Sequence, residues 1–474
     1  MSTDHVELRT GAYADSVTLL QVSRQVQQLP GVATAQVAMA TPLNLEVLER
    51  MGFAMPDDAT VNHLVVAVRL EDDGALDTVP DHVPDHVLDN VLVEVDRALS
   101  TRRQVAGPSE EAPPRTTTSA LRREPGSLVL VSVPGASAAV EAMDALEGGS
   151  DVMVFSDNVP LDQEVALKRY AATRDLLVMG PDCGTAVVGG LGLGFANVVS
   201  PGPVGIVAAS GTGCQQALAL LDHAGVGVTT AYGVGGRDLS AEVGGLATRT
   251  ALARLDRHAG VETVMLISKP PADDVARELT AYTATMRAPV HLALLGAGRP
   301  DLTAATEAML RALGRDVPHW PVRGETRGAT GTRLHGLFVG GTMKQEAEVL
   351  VTAAGADAEL IDFGDDEYTT GRAHPMIDPT LRLERLAAVA ADDATGVVLM
   401  DVVLGHGAED DPAASLAPAI DGIRPPVVIT VVGTSHDPQG LESQVDALAG
   451  AGAEVHLSNA GATRRALEIL GGAR

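Results

Sequence analysis

The chain has 474 residues, 45% apolar and 20% charged, with 50 glycines, 2% aromatics and a formal charge of −28 at pH 7. That length is enough for about two to four domains, and the acid excess excludes a nucleic-acid partner, which needs a basic face. Two cysteines, Cys183 and Cys214, cannot build a disulfide framework, and the start "MSTDHVELRTG" lacks a basic-then-apolar layout. With no apolar run long enough to span a bilayer, a cytoplasmic protein without a membrane partner is expected.

Residues 1–104 alternate short strands ("HVELR", "GVATAQVAMA", "NHLVVAVRL") with helical stretches around Ser16–Gln28 and Leu88–Leu99, the pattern of a small α+β domain. Within it the duplicated tetrapeptide "VPDHVPDH" places His82 and His86 four apart. Pro84 lies between them, so a solvated loop is expected rather than a helical metal pair. Residues 105–126 are rich in Pro, Ser, Thr and charge and read as a linker. Over 127–200, "GSLVLVSVPG", "DVMVFSD" and "DLLVMGPDCG" are buried-type strands separated by helical segments, which predicts a Rossmann-like parallel sheet.

The two blocks that follow, 201–314 and 333–474, repeat one another. "SGTGCQQALALLDHAG" (Ser210–Gly225) and "GGTMKQEAEVLVTAAG" (Gly340–Gly355) align without gaps and share Gly, Thr, Gln, Ala, Leu, Ala and Gly. Each follows an apolar strand, "VGIVAA" or "HGLFVG". Each precedes a glycine- and aspartate-rich loop, a buried strand ("TVMLISKPP", "GVVLMDVVLGHG") and a closing strand ("PVHLALLGAG", "PPVVITVVGTS"). This duplication predicts two flavodoxin-like α/β domains. Between them 315–332 is a connector carrying Trp320, read as an anchoring contact.

Ligands of open α/β sheets bind beyond the carboxyl ends of the strands, where both Gly-Thr turns fall. At each turn the free amides of a first helical turn, a hydroxyl and the positive helix end suit a phosphate or carboxylate. The candidate binding residues are Ser210, Gly211, Thr212 and Gly213 with Gly235 and Gly236 in one copy, and Gly340, Gly341 and Thr342 in the other. The bland alternative is a tight turn with a hydroxyl N-cap. Gly235 and Gly236 precede Arg237 and Asp238, so Arg237 is a candidate cation or one half of a turn-holding ion pair. Lys269 ends a buried strand on the predicted ligand side and is the second candidate cation. Asp365, Asp366, Arg372, His374 and His406 form no spacing diagnostic of a metal site, and none is expected. Neither turn is a nucleotide P-loop, because no Lys-Ser/Thr pair follows the glycine. "AASGT" also lacks the glycines of a nucleophile elbow.

The succession "VMGPDCGTA", "GIVAASGTG", "GVGGRDLSAEVGG" resembles the α subunit of succinyl-CoA synthetase from about Leu128 to Gly298. The last third resembles the carboxyl-terminal ligase domain of that enzyme's β subunit, with "VVGTSHDPQG" as the matching loop. Over the full length, including "ISKPP", "ELIDFGDDEYTTGRAHPMIDP" and "DVVLGHG", the chain resembles the FdrA family. Departures from succinyl-CoA synthetase bear on the chemistry. No histidine follows the strand "PVHLALLGAGRPDL", since His291 lies inside it at its start. "SKPP" replaces an acidic loop, no CoA-binding glycine loop precedes Leu128, and the ATP-grasp region has no counterpart. The resemblance to FdrA implies an oxamate carbamoyltransferase subunit of purine-derived ureide catabolism. Such a subunit works with partner subunits, as a homo-oligomer, and phosphorolyses an oxalurate-like compound to carbamoyl phosphate and an amide. Under that implication Ser210–Gly213 hold the phosphate, Gly340–Thr342 the acceptor, and Lys269 and Arg237 act as cations, with no nucleotide or CoA. Two alternatives stand beside it: an acyl-CoA synthetase that uses CoA and ATP through an ATP-grasp partner, and a non-catalytic scaffold.

Overall fold

The computed structural model describes residues 4–10, 16–56, 58–70, 85–101, 114–369 and 373–471. His82 and Arg372 lie outside these described residues. The chain divides into two compact units, Met1–Pro113 with Thr369–Ala373 and Pro114–Tyr368 with His374–Arg474.

In the first unit β1 (Asp4–Thr10), β2 (Val32–Met39) and β3 (His63–Leu70) form an antiparallel sheet ordered β1-β3-β2. The β3 sequence HLVVAVRL is apolar on both faces because both are covered. Leu64, Val66 and Val68 pack with α1 (Ser16–Gln27) and α3 (Asp85–Thr101), while Val65 and Ala67 pack with Leu48 of a third helix, α2 (Pro42–Arg50). The alternating reading of the sequence misses α2, although Thr41-Pro42 is a start signal: the Thr41 hydroxyl accepts from the Asn44 amide at 3.3 Å. Asp85 and His86 open α3, so that end of the tetrapeptide read as a loop is helical.

In the second unit, part of the segment read as a linker is a short helix, α4 (Thr117–Leu121), capped by Thr116. A parallel three-stranded sheet follows, β4 (Val129–Val131), β5 (Val152–Val154) and β6 (Val178–Met179), with α5 (Gly135–Glu147) and α6 (Leu161–Ala172) packed on it. The hairpin β7 (Thr185–Val188) and β8 (Leu191–Gly194) joins the next sheet instead, pairing antiparallel with β10 (Val228–Gly233). That sheet is completed by β9 (Val204–Ala209), β11 (Thr263–Ser268) and β12 (Val290–Leu294), in the order β12-β11-β9-β10-β7-β8. Its helices are α7 (Gly211–His223), α8 (Leu246–Arg257), α9 (Asp273–Thr283) and α10 (Leu302–Ala312).

The last sheet contains β13 (Val322–Arg323), β14 (Arg333–Phe338), β15 (Ala358–Asp362), β16 (Thr395–Val403), β17 (Val427–Val432) and β18 (Ala453–His456). Its helices are α11 (Gly341–Ala354), α12 (Asp366–Thr369), α13 (Thr380–Ala391), α14 (Pro412–Ile420), α15 (Leu441–Gly450) and α16 (Asn459–Gly471). Its order is β13-β18-β17-β16-β14-β15. The parallel cores of the two sheets therefore run β12-β11-β9-β10 and β17-β16-β14-β15, the same arrangement strand for strand. The repeat read from the sequence is a repeat of topology. One copy adds the β7–β8 hairpin at an edge, the other adds β18 and the antiparallel β13.

Helices α7, α10, α11 and α16 share one apolar core between the two sheets. Leu218 and Met309 of one copy meet Met343 and Ala466 of the other, over Ile206, Ile267, Leu334 and Leu399 from the strands. This explains why α7 is apolar almost all round, with ten of its residues buried. A polar network crosses the same layer. From α7, the Gln216 side chain accepts from the Asn459 amide at 3.2 Å and donates to Leu457 O at 3.0 Å, which holds the start of α16 in the other copy. From α11, Glu346, the residue aligned with Gln216, accepts from the Leu302 amide at 2.7 Å and so holds the start of α10. Asn459 Nδ2 closes the network on Glu346 Oε2 at 2.8 Å. Each copy caps a helix of the other.

Burial raises the Glu346 carboxyl from an ordinary 4.5 to about 7, against the opposing pull of its Leu302 and Asn459 donors. The folded state then keeps a proton that the unfolded chain releases above about 4.5, so this residue's contribution to stability falls as pH rises from there to about 7. The thermal midpoint of Glu346→Gln is expected to gain on wild type as melts are moved from about pH 5 to about pH 8. Gln216→Leu, which strands the Asn459 amide, is expected to cost about 1–3 kcal/mol in denaturant unfolding.

Candidate functional site

Strand β9 delivers Ser210 as the N-cap of α7, where its hydroxyl accepts from the Gly213 amide at 2.9 Å. Strand β14 delivers Gly340 as the N-cap of α11. The two turns meet directly: the Ser210 and Thr342 hydroxyls are hydrogen-bonded to each other. A Cβ on Gly213 would stand 3.0 Å from Thr342 Cγ2, and one on Gly340 would stand 3.0 Å from Thr212 Cγ2. Glycine is required at both because backbone and side chain approach this closely. Ser210, Thr212 and Thr342 are buried. The structure thus brings the two turns into contact through Ser210, Thr212, Gly213, Gly340 and Thr342, while Gly211 faces Thr185 and Gly341 faces Asp362 and Lys269.

Part of the α11 end is already filled by a carboxylate of the chain. Asp401, fully buried in β16, accepts from the amides of Val339 (2.8 Å) and Gly340 (2.9 Å). Arg382, also buried, donates to the Asp401 carbonyl at 2.5 Å and lies 3.5 Å from its carboxylate. Burial raises Asp401 to about 6 despite that guanidinium and those amides. Sequence reasoning passed over Asp401, though a single charge inside the buried run "VVLMDVV" was the available signal.

The open side of the α11 start is at Gly341. A Cβ there would stand 2.4 Å from Asp362 Oδ2 and 2.8 Å from Lys269 Nζ, so a carboxyl from the end of β15 and an ammonium from beyond β11 converge on one face. Lys269 is exposed, and Asp362 and Gly341 are partly so, which leaves this face within reach of a small molecule. Burial raises the Asp362 carboxyl above its usual range, while the Gly364 amide at 2.9 Å and the Lys269 charge pull the other way. His374 reaches the neighbouring turn: a Cβ on Gly364 would stand 3.0 Å from His374 Nε2 and 3.1 Å from Asp362 Oδ1. Burial lowers His374 to about 4, so the ring is neutral near neutral pH. Its Nδ1 accepts from the Met376 amide at 3.2 Å, which leaves the proton on Nε2.

Arg237 is not part of this face. Its guanidinium is held by Glu164 at 2.9 Å and by the Val159 carbonyl at 2.8 Å. Its neighbour Asp238 takes the fully buried Lys168 at 2.8 Å and caps α8 through the Thr248 amide (2.9 Å) and hydroxyl (2.7 Å). The ion pair that holds this loop is therefore to Glu164, not to Asp238. Gly235 has φ +89° and fits because a Cβ would come 2.5 Å from Pro181 O, while Gly236 faces open space. The loop "VVGTSHDPQG" is likewise occupied by the chain itself: Asp437 accepts from the Thr434 and Val198 amides, both at 2.8 Å, and from Asn197 Nδ2 at 2.6 Å. Trp320 Nε1 donates to Glu307 at 2.9 Å, an anchoring contact. His406 is exposed and pairs through its backbone with Ala196, and His291 lies in β12. Both cysteines are buried and free, with burial pushing the Cys214 thiol up to about 12. Among the described residues, no three His, Cys, Asp or Glu side chains gather in a form that could hold a metal ion, and no helix is long and apolar enough to cross a membrane.

A CoA-ligase domain family matches residues 337–469, and the family described as AllF, heavy metal-associated domain, matches residues 1–113, a stretch without cysteine. The uncharacterized protein YahF of Escherichia coli (strain K12) is 34% identical over 94% of this chain and 95% of its own length. The chain belongs to the family of that protein. The α subunit of the ADP-forming succinate–CoA ligase of Methanothermobacter thermautotrophicus is 28% identical over 36% of this chain and 58% of that subunit. A dinucleotide-forming acetyl-coenzyme A synthetase of Ca. Korarchaeum cryptofilum, solved with phosphate and ADP, aligns over 73% of this chain and 84% of its own at 14% identity, with a TM-score of 0.30. The chain is an α/β protein with a CoA-ligase-like fold related to succinyl-CoA synthetase α subunits.

The two adjacent glycines of α11 separate fold from site. Gly340→Ala must displace buried Asp401 and Thr212 and is expected to cost about 1–3 kcal/mol of stability. Gly341→Ala displaces only the ends of the Lys269 and Asp362 side chains and is expected to cost less stability than Gly340→Ala. Differential scanning calorimetry of the two variants checks the contrast.

Proposed function

We propose that this chain is an acyl-phosphate-handling subunit that works as a carbamoyltransferase of the oxamate carbamoyltransferase kind. The observation that carries the reading is the convergence of Lys269 Nζ on Gly341 at the start of α11. There a cation meets first-turn amides that have no partner within the helix. The resemblance to the FdrA family and the AllF-type match over residues 1–113 support a place in purine-derived ureide catabolism. In the reaction, an oxygen of hydrogenphosphate bonds to the carbamoyl carbon of an oxalurate-like donor. The carbon–nitrogen bond breaks and the departing nitrogen gains the proton that phosphate loses. The amides of α11 and Lys269 orient the phosphate and offset charge that builds on the tetrahedral carbon's oxygens. The twin turns, locked by Ser210 and Thr342, fix the direction of those amides. Arg237 has no part in it. The reading includes partner subunits, homo-oligomers and a cytoplasmic place of action.

The CoA-ligase match over residues 337–469 favours a second reading, acyl-CoA synthesis with ATP-grasp and CoA-binding parts supplied by another subunit. Isothermal titration of the purified chain with carbamoyl phosphate, CoA and ATP as separate titrants divides the two. Carbamoyl phosphate is expected to bind alone, and Lys269→Ala to weaken it by about tenfold or more, as loss of a charge-assisted hydrogen bond does. Heat from CoA or ATP with none from carbamoyl phosphate would move the protein to acyl-CoA synthesis. No heat from any of them would leave a scaffold.

A further inference from the structure

We propose that Asp362 is the proton-transferring catalytic residue of this site, presented to the reacting anion between Lys269 and His374. The inference rests on the carbamoyl-transfer reading and adds to it the group that moves the proton. Asp362 is the last residue of β15, ahead of the turn at Phe363-Gly364.

Three features place it there. The two oxygens of its carboxyl serve different neighbours. Oδ1 is pinned by the Gly364 amide at 2.9 Å, and Oδ2 is turned to Gly341, 2.4 Å from where a Cβ would stand. The same point lies 2.8 Å from Lys269 Nζ, so whatever anion sits on Lys269 and the α11 amides sits beside Oδ2. On the other flank, His374 carries its proton on Nε2, 3.0 Å from where a Cβ on Gly364 would stand, and Asp362 Oδ1 lies 3.1 Å from the same point. His374 is partly exposed, so this N–H beside the carboxyl is within reach of a ligand oxygen. The glycines at 341 and 364 keep both flanks clear of side chains.

Phosphorolysis of an N-carbamoyl compound needs a proton delivered to nitrogen as the carbon–nitrogen bond breaks, since an amide anion is a poor leaving group. As the new carbon–oxygen bond forms, the proton of hydrogenphosphate passes to Asp362 Oδ2. As the carbon–nitrogen bond breaks, the carboxyl hands that proton to the departing nitrogen. Protons balance, the carboxyl ends as it began, and no further reactant enters. The raised affinity of this carboxyl for its proton, caused by burial, suits a group that acts as an acid.

The charged and titratable groups that face Asp362 are Lys269 beyond β11, Lys344 on α11, Asp365 in its own turn, Asp401 on β16 and His374. The test must isolate one carboxyl among them. Sulfate, a dianion that does not titrate between about pH 5 and pH 8, is titrated calorimetrically into the full-length chain and into Asp362→Asn, which keeps the acceptor for the Gly364 amide. Because burial raises this carboxyl, wild type is expected to lose sulfate affinity as pH rises and a negative charge develops beside the anion. Asp362→Asn is expected to lose much less, any remainder belonging to Asp401. In phosphorolysis with partner subunits, Asp362→Asn is expected to lower kcat about a hundredfold with KM little changed, the range for loss of a general acid. A wild-type pH slope retained in Asp362→Asn, or unchanged kcat, overturns the proposal while leaving the anion site intact. Wild type that binds no sulfate at any pH overturns the anion site itself, and with it the reading on which this inference rests. A thermal melt of Asp362→Asn matching wild type excludes a folding effect, and Asp362→Ser repeats the test if it does not.

Discussion

Two helix N-termini, those of α7 and α11, are pressed against each other and tied by one hydrogen bond between Ser210 and Thr342. Helix starts repel one another electrostatically, because each presents the positive end of its dipole and unpaired amides. The structure holds them together with negative or neutral acceptors drawn from within. The Ser210 hydroxyl takes one amide of α7, and Asp401 takes the amides of Val339 and Gly340 at α11. What remains of the positive end of α11 is directed sideways, to the face shared by Gly341, Lys269 and Asp362. An anion at that face would complete the neutralisation that the fold leaves partial.

Holding two domains in this pose takes more than apolar area. Gln216 and Glu346 occupy the same place in the repeat, and each reaches across the shared core to cap a helix of the other copy. Two capped helix ends and Asn459 between them set the register of one sheet over the other, since the bonds form in one relative position. A purely apolar interface would permit sliding, and sliding would carry Lys269, on the first copy, away from Gly341 and Asp362, on the second. The candidate site is a property of the pair of domains. That is consistent with a single chain containing segments akin to both an α subunit and a CoA-ligase domain.

Two loops that resemble ligand-binding loops serve the structure itself. The arginine of "GGRDLS" and the aspartate of "VVGTSHDPQG" look like ligand groups when read as text, yet both are spent on fixing neighbouring elements. The carboxylates that do face the helix starts, Asp362 and Asp401, occur in the less conspicuous settings of a strand end and a strand interior. Both keep their protons more tightly than ordinary aspartates, for the same reason, burial.

The sequence by itself determined the strands, the helix starts and the duplication. These follow from local pattern: uninterrupted apolar runs for parallel strands covered on both faces, Ser-Gly-Thr and Gly-Gly-Thr at strand-to-helix turns, and a repeat read by aligning the chain with itself. The equal strand order of the two sheets was implicit in that repeat. Only the tertiary structure decided that the twin turns touch rather than face each other across a gap, that Arg237 belongs to Glu164, and that Lys269 and His374 flank Asp362 on either side. Lys269, just beyond β11, is far along the chain from Asp362 at the end of β15 and from His374 in the segment before α13. No local periodicity encodes which of many charged side chains will meet when two sheets pack through four helices. Helix α2 was missed for a related reason, as a nine-residue segment between strands is settled by the sheet face it covers, Val65 and Ala67, more than by its own pattern.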